Sequence, residues 1–305
     1  ETLTHKVAFT EKVAEYLAGS GFQEIFTNSI TNSAYYKDDV LQKTVRMINN
    51  LSMELNILRP SIMETGLESV AYNLNRKNTD LQFFEFGKTY TTDKPGSYFE
   101  NNHLAVYVTG NVTPDSWKLK AVKADFYFVK AVLEKILTIL GLKADIYTQT
   151  ENRDLSDCLQ AFIKNEMIAE MGFVSNLKLD EFDIKQTVFY IDLNWDKLLK
   201  LNCNLNIQYQ EISKYPSVNR DLAIVVSKTL PFDAVEKATN TAKVNKLKSI
   251  SLFDIFESEK IGADKKSMAI SFTFQDDEKT LTDKEIDGMM NKIIASFEKE
   301  LNAEI

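Results

Sequence analysis

Cysteine and histidine are both scarce. The 305 residues hold two of each, Cys158 and Cys203, His5 and His103. Two thiols cannot build a disulfide framework, and with two distant histidines they do not make a zinc site. They read as reduced structural thiols of a cytoplasmic protein. The ten glycines are scattered, so there is no phosphate-cradling loop, and H-E-x-x-H, C-x-x-C and G-x-S-x-G are missing too. Neither histidine has the sequence context of a base or a ligand, and we expect no catalytic residue and no metal ligand. Apolar runs are only a few residues long, which excludes a transmembrane helix. No basic-then-apolar leader is visible. The chain opens on Glu1 rather than Met, as expected of one processed or cut from something longer. Excess positive charge is also lacking. The net charge is −8, and residues 214–305 carry 14 basic against 16 acidic side chains. A broadly basic nucleic-acid binder is thereby excluded, and any RNA contact must be local and shape-driven.

What is present is amphipathic pattern. Phe9, Val13, Tyr16 and Leu17 share a face at helical spacing, predicting a helix over 4–18 that Gly19 and Gly21 stop. Phe22–Ile30 reads as a strand. Pro60 opens a second helix within 58–77, with Leu67, Ala71 and Leu74 on its stripe. Strands are predicted over 81–90 and 103–110, then a helix capped by Asp125 and ended by Gly141, then strands near 158–163, 167–174 and 187–193. Asn165-Glu166 is the expected hairpin tip between the first two of these. Long helices mixed with hairpin-spaced strands predict an α+β domain on an antiparallel sheet. The Asn-rich stretch 201–211 lacks periodicity, and we place the linker there, giving domains 1–210 and 211–305.

The last 92 residues read as β-α-β-β-α: strand 221–227, helix 232–242, strand 248–257, strand 267–275 and a final helix with a Thr282/Glu285 capping box. Residues 303–305 are available as a short last strand. This is the split βαβ, ferredoxin-like order, in which both helices cover one sheet face and the other stays free. Along 251–256, period-two alternation sets Leu252, Asp254 and Phe256 on one side and Phe253 and Ile255 on the other. Neither side is cleanly apolar, so a bulge is allowed for. If Phe253 and Ile255 face the helices, Asp254 and Phe256 lie on the open face beside the small Ala269, Ser271 and Thr273. A ring beside a carboxylate suits a flipped-out guanine: the ring stacks, and the carboxylate accepts from the ring N–H and the exocyclic amine. Lys243, Lys246 and Lys248, with Lys265 and Lys266, are candidates for phosphate contacts at the rim. The acidic run at 275–285 reads as a solvated turn before a capped helix.

"KYPSVNRDLAIVV", "LFDIF", "KSMAISFTFQ" and "KTLTDKEI", in that order, resemble the anticodon-binding ferredoxin-like domain that ends the bacterial phenylalanine–tRNA ligase beta chain. Upstream, "YLAGSGFQEIFTNSI", "LRPSIMETGLESVAYNLNR", "LQFFEFGKTY" and "DFYFVKAVLEKILTILGL" resemble that chain's class II synthetase-like, non-catalytic domain. The resemblance covers almost the whole sequence and implies a C-terminal portion of the beta chain, without its editing and other N-terminal domains. It implies a catalytic alpha chain as partner, an alpha2-beta2 heterotetramer, tRNA(Phe) as the nucleic acid, and ATP with Mg in the full assembly but no cofactor in this portion. Segments 4–30 and 60–77 would then include alpha-chain contact surface. The resemblance assigns Asp254 and Phe256 to the first anticodon base, and implies that Arg220 and Asp221 fix the start of a strand through local hydrogen bonds. The arginine slots after "LQFFEFG" hold aromatics and no G-x-G-x-x-x-R occurs, so the charge-assisted bonds that hold ATP phosphates are missing. Three departures stand out: Phe256 where many relatives have Tyr, Lys279 where Arg is usual, and "RDLSDCLQ" where His-Pro-Gly is common. Two other readings stay open: a small-molecule-sensing ferredoxin-like module, and an enzyme using the 276–285 acids in a deep pocket.

Overall fold

The computed structural model describes residues 2–50, 52–202, 209 and 211–305. The chain forms two compact units, Glu1–Ile207 and Gln208–Ile305. In order, the first holds α1 (Thr2–Gly19), β1 (Gln23–Glu24), β2 (Ile30–Thr31), α2 (Asp38–Leu41), β3 (Ile57–Leu58), α3 (Met63–Leu74), β4 (Leu81–Lys94), β5 (Ser97–Thr109), β6 (Asn111–Thr113), β7 (Val122–Lys123), α4 (Phe126–Ile139), β8 (Ile146–Gln149), β9 (Leu155–Ile163), β10 (Glu166–Val174), α5 (Asn176–Glu181), β11 (Val188–Asn194) and α6 (Trp195–Asn202). The second holds β12 (Val218–Ser227), α7 (Phe232–Thr241), β13 (Leu247–Phe256), β14 (Lys265–Phe274) and α8 (Asp283–Leu301).

The first unit is built on a seven-stranded sheet ordered β1-β4-β5-β11-β10-β9-β8, antiparallel except for the β1–β4 pair. Every residue of β5 from Leu104 to Thr109 is buried, so this central strand is covered on both faces. Leu104, Val106 and Val108 pack with Val13 and Leu17 of α1, Val129, Val132, Leu133, Ile136 and Leu137 of α4, and Leu198 of α6. Ala105 and Tyr107, pointing the other way, pack with Met63, Leu67 and Val70 of α3 and Leu179 of α5. Asp125 caps α4 as its sequence predicts, accepting from Phe128 N–H at 2.7 Å, and Gly141 follows it with φ +68°. Gly66 is where α3 meets the sheet: a Cβ there would lie 2.1 Å from Tyr107 Cζ. The Tyr107 ring is fixed by its own hydroxyl, which donates to Ile62 O at 2.6 Å. Gly66→Ala therefore forces the helix off the sheet, and denaturant titration should show a loss of about 1–3 kcal/mol or more.

Several expectations are corrected. Phe22–Ile30 is not one strand but two two-residue pieces, β1 and β2. Between them no ladder forms: Ile25 N–H bonds to Phe84 O at 2.9 Å, Ser29 O accepts from Arg59 N–H at 2.9 Å, and Thr27 N–H donates to the Glu85 carboxylate. α3 starts at Met63 rather than at Pro60; Ser61 Oγ accepts from Met63 N–H at 3.1 Å and sets the first turn. The β9–β10 tip is Lys164-Asn165, both at positive φ, one residue earlier than expected. Residues 201 and 202 still belong to α6, and most of the expected linker, 203–208 and 210, lies outside the described residues, as does Cys203. Cys158 is free and buried, and burial pushes its thiol up to about 11. Among the described residues no helix is long and apolar enough to cross a membrane.

In the second unit the sheet order is β12-β14-β13, all antiparallel. β14 alternates strictly: Met268, Ile270, Phe272 and Phe274 are buried, whereas Ser267, Ala269, Ser271 and Thr273 are half-buried. The buried set packs with Val235 and Ala238 of α7 and with Ile286, Met290, Ile293 and Phe297 of α8. Ser296 Oγ donates to Ala238 O at 2.8 Å and ties the two helices together. The Thr282/Glu285 capping box opens α8. Past the end of that helix, Val225 and Glu304 exchange backbone hydrogen bonds at 2.8 and 3.0 Å, the short last strand reduced to one bridge.

Candidate nucleic-acid interface

Because both helices lie on one side, no described helix of this unit covers the opposite face of the second sheet, and the register places each side chain on it. Across β12, β14 and β13 the successive rows are Asn219–Thr273–Ser249, Asp221–Ser271–Ser251, Ala223–Ala269–Asp254 and Val225–Ser267–Phe256. The middle column is small throughout, which makes a floor. Asp254 and Phe256 stand along one side of it on β13, an edge strand. Both are exposed, Phe256 by 56%. Asp254 has neither a hydrogen-bond nor an ion-pair partner among the described residues, and Phe256 no ring partner. A flat base laid on Ala269 and Ser267 has the Phe256 ring and a carboxylate within its own span. The carboxylate only accepts, so it selects an edge that presents two N–H groups.

The alternation of β13 is interrupted to reach this arrangement. Leu252 pairs Ile270 and Asp254 pairs Ala269, so Phe253 is the extra residue of a β-bulge. Leu252 thus sits on the helix face, not with Asp254 and Phe256. Ile255, opposite Met268, returns to the helix side. Phe253, expected on the helix side, is 58% exposed and is not among the residues packed on the core, and the same holds for Ile255 at 46%. The mixed polarity of "SLFDIF" was the signal for the bulge, but alternation alone does not say which residue is extra.

The rim lysines are less available than their sequence positions imply. Lys246 Nζ donates to Asp276 Oδ1 at 2.9 Å, and Lys248 Nζ to Asp277 Oδ2 at 3.0 Å. Those bonds hold both carboxyls below the usual carboxylate range. Asp276 is only 3% exposed, so the 275–285 run is not a wholly solvated turn. Lys279 pairs with Glu285, whose carboxyl is held at about 2 by that contact and by Thr282. Lys265 pairs with Glu304. Lys243, exposed at φ +48°, has no ion pair among the described residues, nor has Lys266. Arg220 makes one local bond at the strand's start, its Nη1 donating to Asn219 O at 3.2 Å. It is the third residue of β12 and reaches Asp283 in the first turn of α8 at 2.6 Å, pinning helix to sheet. Asp221 lies on the open face.

The first unit carries a buried polar cluster that its sequence did not announce. Arg59, 2% exposed, donates through Nη1 to Glu85 Oε1 at 3.0 Å, Thr27 Oγ1 at 2.7 Å and Thr65 Oγ1 at 3.1 Å. Its Nε donates to Lys88 O at 2.8 Å. A second buried pair, Glu64 and Lys178, lies 3.1 Å apart, with Tyr36 donating to Glu64. His103 lies between Asp192, 2.6 Å away, and Thr89, 3.0 Å away. Burial opposes its charge, but the Asp192 contact outweighs that and raises the imidazole above its ordinary value. No three of the described His, Cys, Asp or Glu side chains are grouped to hold a metal.

Residues 1–195 match the family described as "Phenylalanyl tRNA synthetase beta chain CLM domain". The chain belongs to the phenylalanyl-tRNA synthetase beta chain family. Residues 213–305 match the "Ferredoxin-fold anticodon binding domain". The beta-chain assignment extends to individual relatives. The phenylalanine–tRNA ligase beta subunit of Bacteroides thetaiotaomicron is 39% identical over 311 residues, 96% of this chain and 37% of that protein. The beta subunit of Porphyromonas gingivalis is 33% identical over 307 residues, again 96% of this chain and 38% of that protein. This beta-chain sequence thus spans a little over a third of the length of such relatives. Among solved structures, pyrrolysyl-tRNA synthetase from Desulfitobacterium hafniense superimposes with a TM-score of 0.51 at 15% identity, over 64% of this chain and 68% of that one. That likeness is one of fold.

Proposed function

We propose that this chain is the non-catalytic, C-terminal portion of a phenylalanine–tRNA ligase beta subunit, scaffolding a catalytic alpha chain and reading the tRNA(Phe) anticodon. The division of labour follows the sequence: residues 1–210 form the class II-like scaffold and residues 211–305 the anticodon reader. The observation that carries the reading is the bare floor of β14 flanked by an unpaired carboxylate and an exposed ring on β13. Asp254 accepts the Watson–Crick N–H groups of the first anticodon base, a guanine, and Phe256 stacks on it. Of the three rim lysines Lys243 alone has no ion pair among the described residues and is free for a phosphate, whereas Lys246 and Lys248 must first leave their aspartates.

Catalytic silence of this portion is supported by the fate of its buried arginine. Arg59 is 2% exposed and commits its Nε and Nη1 to Glu85, two threonines and a backbone carbonyl, so its guanidinium is not presented to a nucleotide phosphate. In the full assembly the alpha chain then supplies the ATP- and Mg-dependent charging step, within an alpha2-beta2 heterotetramer. The test has two arms. The chain alone should give no ATP–pyrophosphate exchange, and when mixed with the alpha chain it should form a complex whose mass shows both. Exchange by the chain alone would overturn the silent assignment, and failure to associate would overturn the scaffold.

A further inference from the structure

The exposed ring of Phe253 has no role in the reading above, and its position is unusual. A phenylalanine 58% exposed on a strand normally belongs to an apolar face that something covers; its neighbours here are Asp254, the 46% exposed Ile255 and the sheet's free edge. It is there because the bulge inserts it: Leu252 and Ile255 keep the helix face, Asp254 and Phe256 keep the open face, and Phe253 is left unpaired between the two registers. Removing the bulge would put Asp254 on the helix face, so the extra residue is what presents the carboxylate. Filling that place needs no aromatic side chain. No ring partner or cation lies against Phe253 among the described residues, so its ring is unused within the unit.

We infer that Phe253 is a second stacking platform, taking the base next to the one read by Asp254 and Phe256. The inference rests on the anticodon reading proposed above. Two rings on either side of one carboxylate match a single strand whose consecutive bases are splayed apart: one base lies on the floor beside Phe256, and its neighbour passes over the edge of β13 onto Phe253. Stacking is indifferent to base identity because every base has a π-face. Phe253 therefore contributes affinity and strand direction, while Asp254 contributes the choice of base. The ring also suits a local, weakly charged interface. The Lys246 and Lys248 charges beside β13 are held by Asp276 and Asp277, which leaves stacking to do more of the holding.

The test uses the 305-residue chain and an anticodon stem-loop RNA of tRNA(Phe), with binding followed by fluorescence anisotropy. Phe253→Leu keeps apolar bulk but removes the ring, and should weaken binding roughly 5- to 150-fold. Phe253→Tyr should bind like the parent. Preference for guanine at the first position should be unchanged in both. On an RNA made abasic at the position beside the first anticodon base, parent and Phe253→Leu should bind alike. The melting temperature of Phe253→Leu should stay within a degree or two of the parent, because an exposed side chain is being changed. Parent-like binding by Phe253→Leu while Phe256→Ala binds weakly would overturn this inference alone. Parent-like binding by both variants would overturn the anticodon reading with it. Loss of affinity accompanied by a large fall in melting temperature, or a loss equal on intact and abasic RNA, would make Phe253 a packing residue and also overturn it.

Discussion

Glu85→Ala should lower the stability of the first unit by about 3–5 kcal/mol, because it strands the Arg59 guanidinium in the interior without its counter-ion. Arg59 and Glu85 are 2% and 1% exposed, so solvent cannot replace the lost partner. The damage extends beyond the pair. Thr27 loses the acceptor of its hydroxyl, 2.7 Å away, and of its backbone N–H, 3.3 Å away. That backbone is the irregular stretch between β1 and β2, which has little ladder of its own to hold it. Removing both charges together, as Arg59→Met with Glu85→Met, should cost less than the two single changes summed, since no orphaned charge remains. Both tryptophans lie in the first unit, and Trp195 is 2% exposed, so its fluorescence follows this unit through a urea titration. A loss below about 1 kcal/mol for Glu85→Ala would mean the pair is already reached by water, contrary to the packing described.

Phe256→Ala should weaken tRNA(Phe) binding by about 1–3 kcal/mol, the usual worth of a base–aromatic stack, with little change in melting temperature. The small thermal effect follows from exposure: at 56%, the ring contributes little to the core beneath the sheet. Phe256→Tyr is the conservative control. It should bind at least as well as the parent, since the ring is kept and a hydroxyl added. Filter binding or anisotropy at two salt concentrations separates this stack from phosphate contacts, because loss of a stacking ring leaves the salt slope unchanged. A large fall in melting temperature instead of in affinity would place Phe256 in the core.

The second unit was nearly readable from sequence. β14 alternates without error, the Thr282/Glu285 box marks the start of α8, and the apolar stripe of α8 fixes which face it covers. What could not be read there was register. Alternation places residues on faces only while the step is uniform, and β13 changes its step twice, at Lys248 and at Phe253. The partners of Lys246 and Lys248 were equally hidden, because Asp276 and Asp277 lie about 30 residues away in sequence and meet them only through sheet pairing. In the first unit the helices and long strands were legible by period. The Phe22–Ile30 stretch was not, since its backbone bonds go to scattered distant partners, Phe84 O, the Glu85 carboxylate and Arg59 N–H, that local pattern does not see. The Arg59 cluster escaped for the same reason: its members come from Thr27, Arg59, Thr65 and Glu85, four places with no shared spacing.

The central claim is that Asp254 chooses the base on the open face. Its most direct measurement is the affinity of the chain and of Asp254→Asn for stem-loops differing only in the first anticodon base. The parent should favour guanine over adenine by about 1–3 kcal/mol, and Asp254→Asn should lose most of that preference, because the acceptor-only carboxylate that takes two N–H groups is gone. Equal affinity of the parent for all four bases, or a guanine preference that survives in Asp254→Asn, would contradict the account.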